Sequence, residues 1–211
     1  MKDSQGNLVL GRTRWRRFAA VVVPATIAVS ALMGGVAAGV VPIAMHVSGQ
    51  TAMLTADRLD ATGFSQWGGV VVTEDGKVIP VAVSQIKSAE ITNLCQSVKA
   101  PGTNITLFIR GGREAGKPVV AKELLIGMDH LSGDATFTNI NIGTDASALT
   151  KGGTPPNKGE LKGGFGQEAD KAVIDNLNQR FYSTFAGQFQ LTGMSLNLKF
   201  DGSECFSTLK P

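Results

Sequence analysis

The sequence predicts a mainly β domain, an antiparallel β-sandwich, jelly-roll or open folded sheet, held outside a membrane behind one N-terminal transmembrane helix. Three observations predict it. Uncharged, mostly apolar sequence runs from residue 18 to residue 47, directly behind a basic cluster of Arg12, Arg14, Arg16 and Arg17. Beyond it, apolar and polar residues alternate in several short runs, as strands with one face on a core require. Asp-Gly and glycine-rich punctuation separates these runs, which is the signature of hairpins.

Residues 1–17 form a basic tail and residues 18–47 the anchor. A helix rises ~1.5 Å per residue and the hydrocarbon core is ~30 Å thick, so about 20 apolar residues span it. The arginines flank one side only, and no charge follows until Asp57 and Arg58. Positive charge stays inside, so the expected topology is a single pass through the cell membrane, with a cytoplasmic N-terminus and residues 48–211 extracellular. A cleaved secretory signal ending at Val36-Ala37-Ala38 is the alternative. Against it, apolar sequence continues through Val40, Val41, Ile43, Ala44 and Met45, longer than the roughly 7–15 residues of a signal-peptide core. Ala31, Gly35 and Gly39 recur every four residues and leave a smooth stripe on which a second helix can pack closely. An integral-membrane partner, or a homodimer through the anchor, is therefore expected; small residues common to membrane segments are the plain alternative.

The outer segment is long enough for one domain with a core. Glu74-Asp75-Gly76-Lys77 separates Val70-Val71-Val72 from Val78-Ile79-Pro80-Val81, a tight hairpin. Ile105, Leu107 and Ile109 alternate with Thr106 and Phe108, and Arg110-Gly111-Gly112-Arg113 marks a turn. Gly133-Asp134 starts another turn ahead of a strand over 135–142. Residues 150–166 are rich in Gly, Pro and Lys and read as an exposed flexible insert. After it, Ala169, Ala172, Val173, Leu177 and Phe181 stand at helix-like spacing. A short helix giving way to a strand over about 178–191 fits them. Gln188-Phe189-Gln190-Leu191 and Met194-Ser195-Leu196-Asn197-Leu198-Lys199-Phe200 then alternate without a fault, and Gly202 closes the run.

Ala56-Asp57-Arg58-Leu59, Ala89-Glu90-Ile91-Thr92, Ala121-Lys122-Glu123-Leu124 and Ala169-Asp170-Lys171-Ala172-Val173 each set an alanine and a charge ahead of an aliphatic residue. They read either as repeating strand units or as a chance recurrence of a cheap pattern.

The chemistry available narrows the function. Lys2, Arg12, Arg14, Arg16, Arg17 and Asp3 precede the anchor; setting them aside leaves 15 basic and 16 acidic residues. A near-neutral domain without a basic face is a poor partner for nucleic acid. Cys95 and Cys205 are the chain's two cysteines. In an exported domain an even pair is expected to oxidise, two buried thiols being the alternative. No C-x-x-C occurs, which disfavours redox catalysis and a cysteine zinc site. Gly63-Phe64-Ser65-Gln66-Trp67-Gly68 misses the nucleophile elbow by one position. His46 and His130 are the available bases, and Asp129, His130, Ser132 and Asp134 read as an ordinary polar turn. No catalytic residue, metal or cofactor is expected. The apolar faces of Ile105, Leu107, Ile109, Phe189, Leu191, Met194, Leu196, Leu198 and Phe200 are the expected ligand groove; a closed core would show the same alternation.

Three stretches carry a family resemblance: residues 59–70 (Leu59 through Trp67 to Val70), residues 91–98 around Cys95, and residues 128–143 around Asp129-His130. Over nearly its full length, to Glu204-Cys205-Phe206, the chain resembles a family of uncharacterised membrane-anchored exported proteins of mycelial actinobacteria. Some of them are labelled cholesterol esterase. The resemblance implies a Gram-positive cell surface and a disulfide, and it brings no site residues. A membrane-anchored module binding a lipid or other hydrophobic ligand is the expected function. A structural or assembly protein of the envelope is the alternative, and an esterase is third.

Overall fold

Four long strands carry the domain, where the punctuation led one to expect many short ones. The computed structural model describes residues 45–156 and 158–207. The basic tail and most of the anchor, with Ala31, Gly35 and Gly39, lie outside the described residues. At the end of the expected anchor, Met45–Val47 form strand β1, paired in parallel with Val71, Val72 and Thr73. Among the described residues no helix is long and apolar enough to cross a membrane.

The long strands are β2 (Ala52–Thr73), β3 (Val78–Thr92), β6 (Val119–Thr138) and β8 (Phe165–Phe185). β2 and β3 form the expected hairpin, with Gly76 at φ +83° in its turn. β3 pairs with β6, β6 with β8, and β8 returns to β2 through Ala52↔Phe181 to Ala56↔Leu177. All four pairings are antiparallel, and the sheet closes into a four-stranded barrel. The mainly β expectation holds, but the layout is neither two facing sheets nor an open one. Shorter strands extend it: β4 (Leu94–Lys99) on β2, β5 (Thr106–Gly111) on β4, and β7 (Asn141–Asp145) on β8. β9 (Gln188–Gln190) pairs with β6, and β10 (Ser195–Lys199) with β5.

A ring of four strands is narrow, since about eight are needed for an interior that ordinary side chains just fill. Small residues answer that constraint. Ala61, Ala89 and Ala121 are register partners across β2, β3 and β6 and are 0%, 2% and 0% exposed. The recurring alanines Ala56, Ala89, Ala121 and Ala169 are all buried, one on each barrel strand. They mark strands of a single ring, not stacked units. Larger side chains, among them Leu59, Phe64, Ile86, Leu124 and Leu177, fill the rest. A small pocket of about 20 Å3 lies among Leu59, Phe64, Ile86 and Leu177.

Alternation breaks at one level of the barrel. Thr62↔Ser88 and Phe64↔Ile86 pair while Gly63 and Lys87 are skipped; Ile86↔Leu124 and Ser88↔Lys122 pair while Lys87 and Glu123 are skipped. Gly63 and Glu123 have φ +69° and +51°. Interior residues there stand three apart, as in Ala61/Phe64, Ile86/Ala89 and Ala121/Leu124. One residue is skipped on each strand and the register is unchanged, so the faces of the strands swap there without a bulge.

The same device explains the helix expected after residue 167. β8 buries Ala169, Ala172, Ile174 and Leu177, and its two three-residue steps, one spanning Asn176 at φ +54°, mimic helical spacing. The strand expected over 135–142 is likewise two elements. Asn139, at φ +53°, turns the chain between β6 and β7 and donates its amide to Asp170 at 2.8 Å. Gly133-Asp134 is a bulge inside β6 and not a turn before a strand.

The insert forms a second layer. Ala146, Leu149 and Leu161 pack with Trp67, Val71, Val81 and Val83 of β2 and β3. Its first residues are docked, which corrects an insert exposed throughout: Gly152 and Pro155 are buried, while residues 158–160 and 162–164 are exposed.

Candidate functional site

Where β3 and β6 swap faces, residues 152–156 of the insert, docked on β2 and β3, line an open cleft of about 870 Å3 together with β3, β6 and the end of β8. Leu125, Phe185 and Pro156 supply apolar surface, and Phe185 is 63% exposed. Lys87, Lys122 and Glu123 supply charge, and Gln85, Gly152, Gly153 and Thr154 complete one wall. Neither lysine makes an ion pair among the described residues.

The wall is held by three sets of contacts. Gly152 donates its N–H to Ser65 Oγ at 2.8 Å, and Gln85 Nε2 donates to the Thr154 carbonyl at 3.2 Å. Glu168, 6% exposed, accepts the N–H groups of Thr150 and Lys151 at 2.8 and 3.0 Å. Burial pushes the Glu168 carboxyl upward, but those two N–H groups, the Asn141 amide and the Lys151 charge outweigh it and hold the group below its usual range. Lys151 also donates to the Asn139 carbonyl at 2.6 Å and pairs with Asp170 at 3.0 Å. Glycine is required at Gly152, where a Cβ would lie 2.6 Å from Ser65 N and closer still to the Gln85 carbonyl. No motif announces this cleft. Its one signal in the sequence is the loss of strict alternation around Gly63, Lys87 and Glu123.

Most of the expected groove residues do share a face. Leu196 pairs with Ile109 and Leu198 with Leu107; the alternation puts Ile105, Met194 and Phe200 on the same side. That face begins in the core at Leu94, fully buried, and runs outward past half-buried Leu107 and Ile109. At β10 it is open: Met194, Leu196, Leu198 and Phe200 are 55–71% exposed. Phe189 lies instead on β9 opposite Ala121, and Leu191 packs against the core.

The opposite face of β4, β5 and β10 is polar and strapped. Cys95 and Cys205 are bonded, and Cys205 donates its N–H to Ser97 Oγ at 2.9 Å. Lys199 lies 4.6 Å over the Phe108 ring.

The residues weighed for catalysis are engaged elsewhere. Ser65 is fully buried beneath Gly152. Asp129 accepts two hydrogen bonds from Arg180 at 2.8 and 2.9 Å and one from Tyr182 at 3.2 Å. His130 stacks on Phe206 with ring centroids 6.1 Å apart, and Asp134 accepts the Asn176 amide at 2.7 Å. Among the described residues no three His, Cys, Asp or Glu side chains cluster as a metal site.

No curated protein and no solved structure matches the chain. Residues 48–206 match a family of unknown function, DUF6230, and the chain belongs to that family.

Proposed function

We propose that this protein is a membrane-anchored, outward-facing module that binds an amphiphilic lipid in the cleft between the barrel and the insert. One observation carries the reading: an open cleft of about 870 Å3 whose apolar surface, Leu125, Phe185 and Pro156, lies beside two lysines that form no ion pair among the described residues. Its size falls within the ~300–1,000 Å3 of ligand pockets, which combine apolar lining with a few placed polar groups. An acyl chain suits the apolar wall, and an anionic headgroup suits Lys87 and Lys122. The basic tail and apolar residues 18–44 support a cytoplasmic N-terminus and an anchor.

The test is lipid extraction and native mass spectrometry of the full-length chain purified in mild detergent. A co-purifying lipid is expected with the native sequence, and its loss with Lys87→Glu/Lys122→Glu. A native chain that never carries lipid, or a charge-reversed variant that keeps it, removes the reading.

The second reading, an envelope assembly protein, is favoured by the open apolar face at β10. Exposed patches of that kind mark contact surfaces.

A further inference from the structure

We infer that β10 is a dimerisation edge, on which a second copy of this chain adds its own β10 antiparallel about Asn197. The inference is independent of the lipid reading. β10 ends the strand order and pairs with β5 alone among the described residues. Its other edge therefore offers unpaired N–H and C=O groups, which recruit a further strand unless a device prevents it. Common devices are proline, a bulge, or a charge within the apolar face. Residues 194–200 contain no proline, β10 pairs with β5 without a register shift, and the one charge, Lys199, lies on the polar face at the strand's end.

Among the described residues nothing covers that edge. After β10 it turns at Gly202, whose N–H bonds the Asn104 carbonyl at 2.8 Å, and crosses to Ser97 and Cys95 of β4. Phe206 then reaches His130 of β6. The strap thus runs back over the sheet and away from the outer edge of β10.

The occupant follows from the symmetry of the strand. Read outward from Asn197, the sequence places Leu196 and Leu198, then Ser195 and Lys199, then Met194 and Phe200 at equal distances. Antiparallel pairing about that residue sets Leu196 opposite the second copy's Leu198 and Met194 opposite its Phe200. Apolar meets apolar at every such step, and Ser195 meets Lys199. A twofold interface demands this self-complementarity, and directly opposed apolar pairs are what stabilise a strand pair. The four exposed side chains of each copy would join into one continuous apolar face.

Charge exchange at the polar positions tests both the pairing and its register. In the proposed register Ser195→Lys opposes lysine to lysine at two places. Lys199→Glu alone opposes serine to glutamate, and the double variant opposes lysine to glutamate. Amide hydrogen exchange over 194–200 is read on the full-length chain in non-ionic detergent, with native mass as the second measurement. Exchange at this edge is separate from any association through the anchor. Expected is exchange about tenfold slower, equivalent to about 1.4 kcal/mol, in the native chain, Lys199→Glu and the double variant than in Ser195→Lys. The slow exchange should fade on dilution. Equal exchange in all four proteins, no recovery in the double variant, or a native chain that is monomeric by mass overturns the inference. A dimer whose exchange ignores these charges does so as well, since it would be joined elsewhere.

Discussion

Glu168 shows how a single side chain holds the candidate site together. Its buried carboxylate receives two consecutive backbone N–H groups where the insert leaves Leu149, which is itself fully buried. Replacing it by glutamine, Glu168→Gln, keeps the volume but substitutes a neutral amide for the charge and turns one of its two acceptor oxygens into a donor. A buried donor left unpaired costs about 1–3 kcal/mol, so the denaturant midpoint at neutral pH should fall accordingly, with faster amide exchange over 150–156. The pH dependence has a definite sign. Because the folded group sits below its ordinary range, its stabilisation is complete above the unfolded glutamate value of about 4.3. It is lost as pH falls through the depressed folded value. Glu168→Gln should therefore flatten that part of the acid-unfolding curve; an unchanged acid limb would remove the carboxylate from this role.

At the level of elements, the insert and β10 behave differently from what their compositions suggest. Glycines in the insert read as freedom, yet Gly152 is a close-contact residue: a Cβ there meets Ser65 and the Gln85 carbonyl. Gly152→Ala should cost about 1–3 kcal/mol through overpacking and release residues 150–156, seen as accelerated exchange and loss of whatever the cleft retains. Native exchange in that variant would show the docking to be dispensable. For Leu196, 56% exposed on β10, Leu196→Trp should leave the cooperative melt unchanged, since an open face has nothing to overpack. A closed core would give the opposite result. Period-two alternation made β5 and β10 legible because those segments keep one face throughout, and the Asp-Gly turn made the β2–β3 hairpin legible. It failed where faces swap. Three-residue steps at Ala169/Ala172 and Ile174/Leu177 gave β8 the rhythm of a helix, and Asn139 hid a turn inside an apparent strand. The cleft went unread for the same reason: its walls meet where the faces swap, and only tertiary packing brings Lys87, Lys122 and Phe185 beside the insert.

For the whole molecule, ring closure was invisible because the β2–β8 seam joins residues 52–56 to 177–181, and no local pattern reports such a pairing. The cysteines were legible, since an even count in a domain expected outside the membrane leads to one bridge. That bridge links residues 110 apart. The chain-entropy account gives it ~4–5 kcal/mol, so Cys205→Ser should lower the melting midpoint and free residues 201–207 to proteolysis. Non-reducing peptide maps of the native protein should show a single linked pair. Closure itself has a sharper test in the alanine layer. Ala89 is 2% exposed between Ala61 and Ala121. Ala89→Leu places three more heavy atoms into a buried layer of three register-paired alanines. Overpacking of a core costs ~1–3 kcal/mol, and a closed ring has to relieve it by parting a seam. The β2–β8 seam has the shortest ladder of the four. It holds five register pairs, backed by Arg58–Asp175 and Lys171–Asp60 ion pairs at 3.0 Å between partly exposed side chains, each worth little in water. Ala89→Leu should therefore accelerate amide exchange at 52–56 and 177–181 while leaving the β2–β3 hairpin protected. Destabilisation spread evenly over all four strands, with the seam still slow, would mean that the ring expands as a whole.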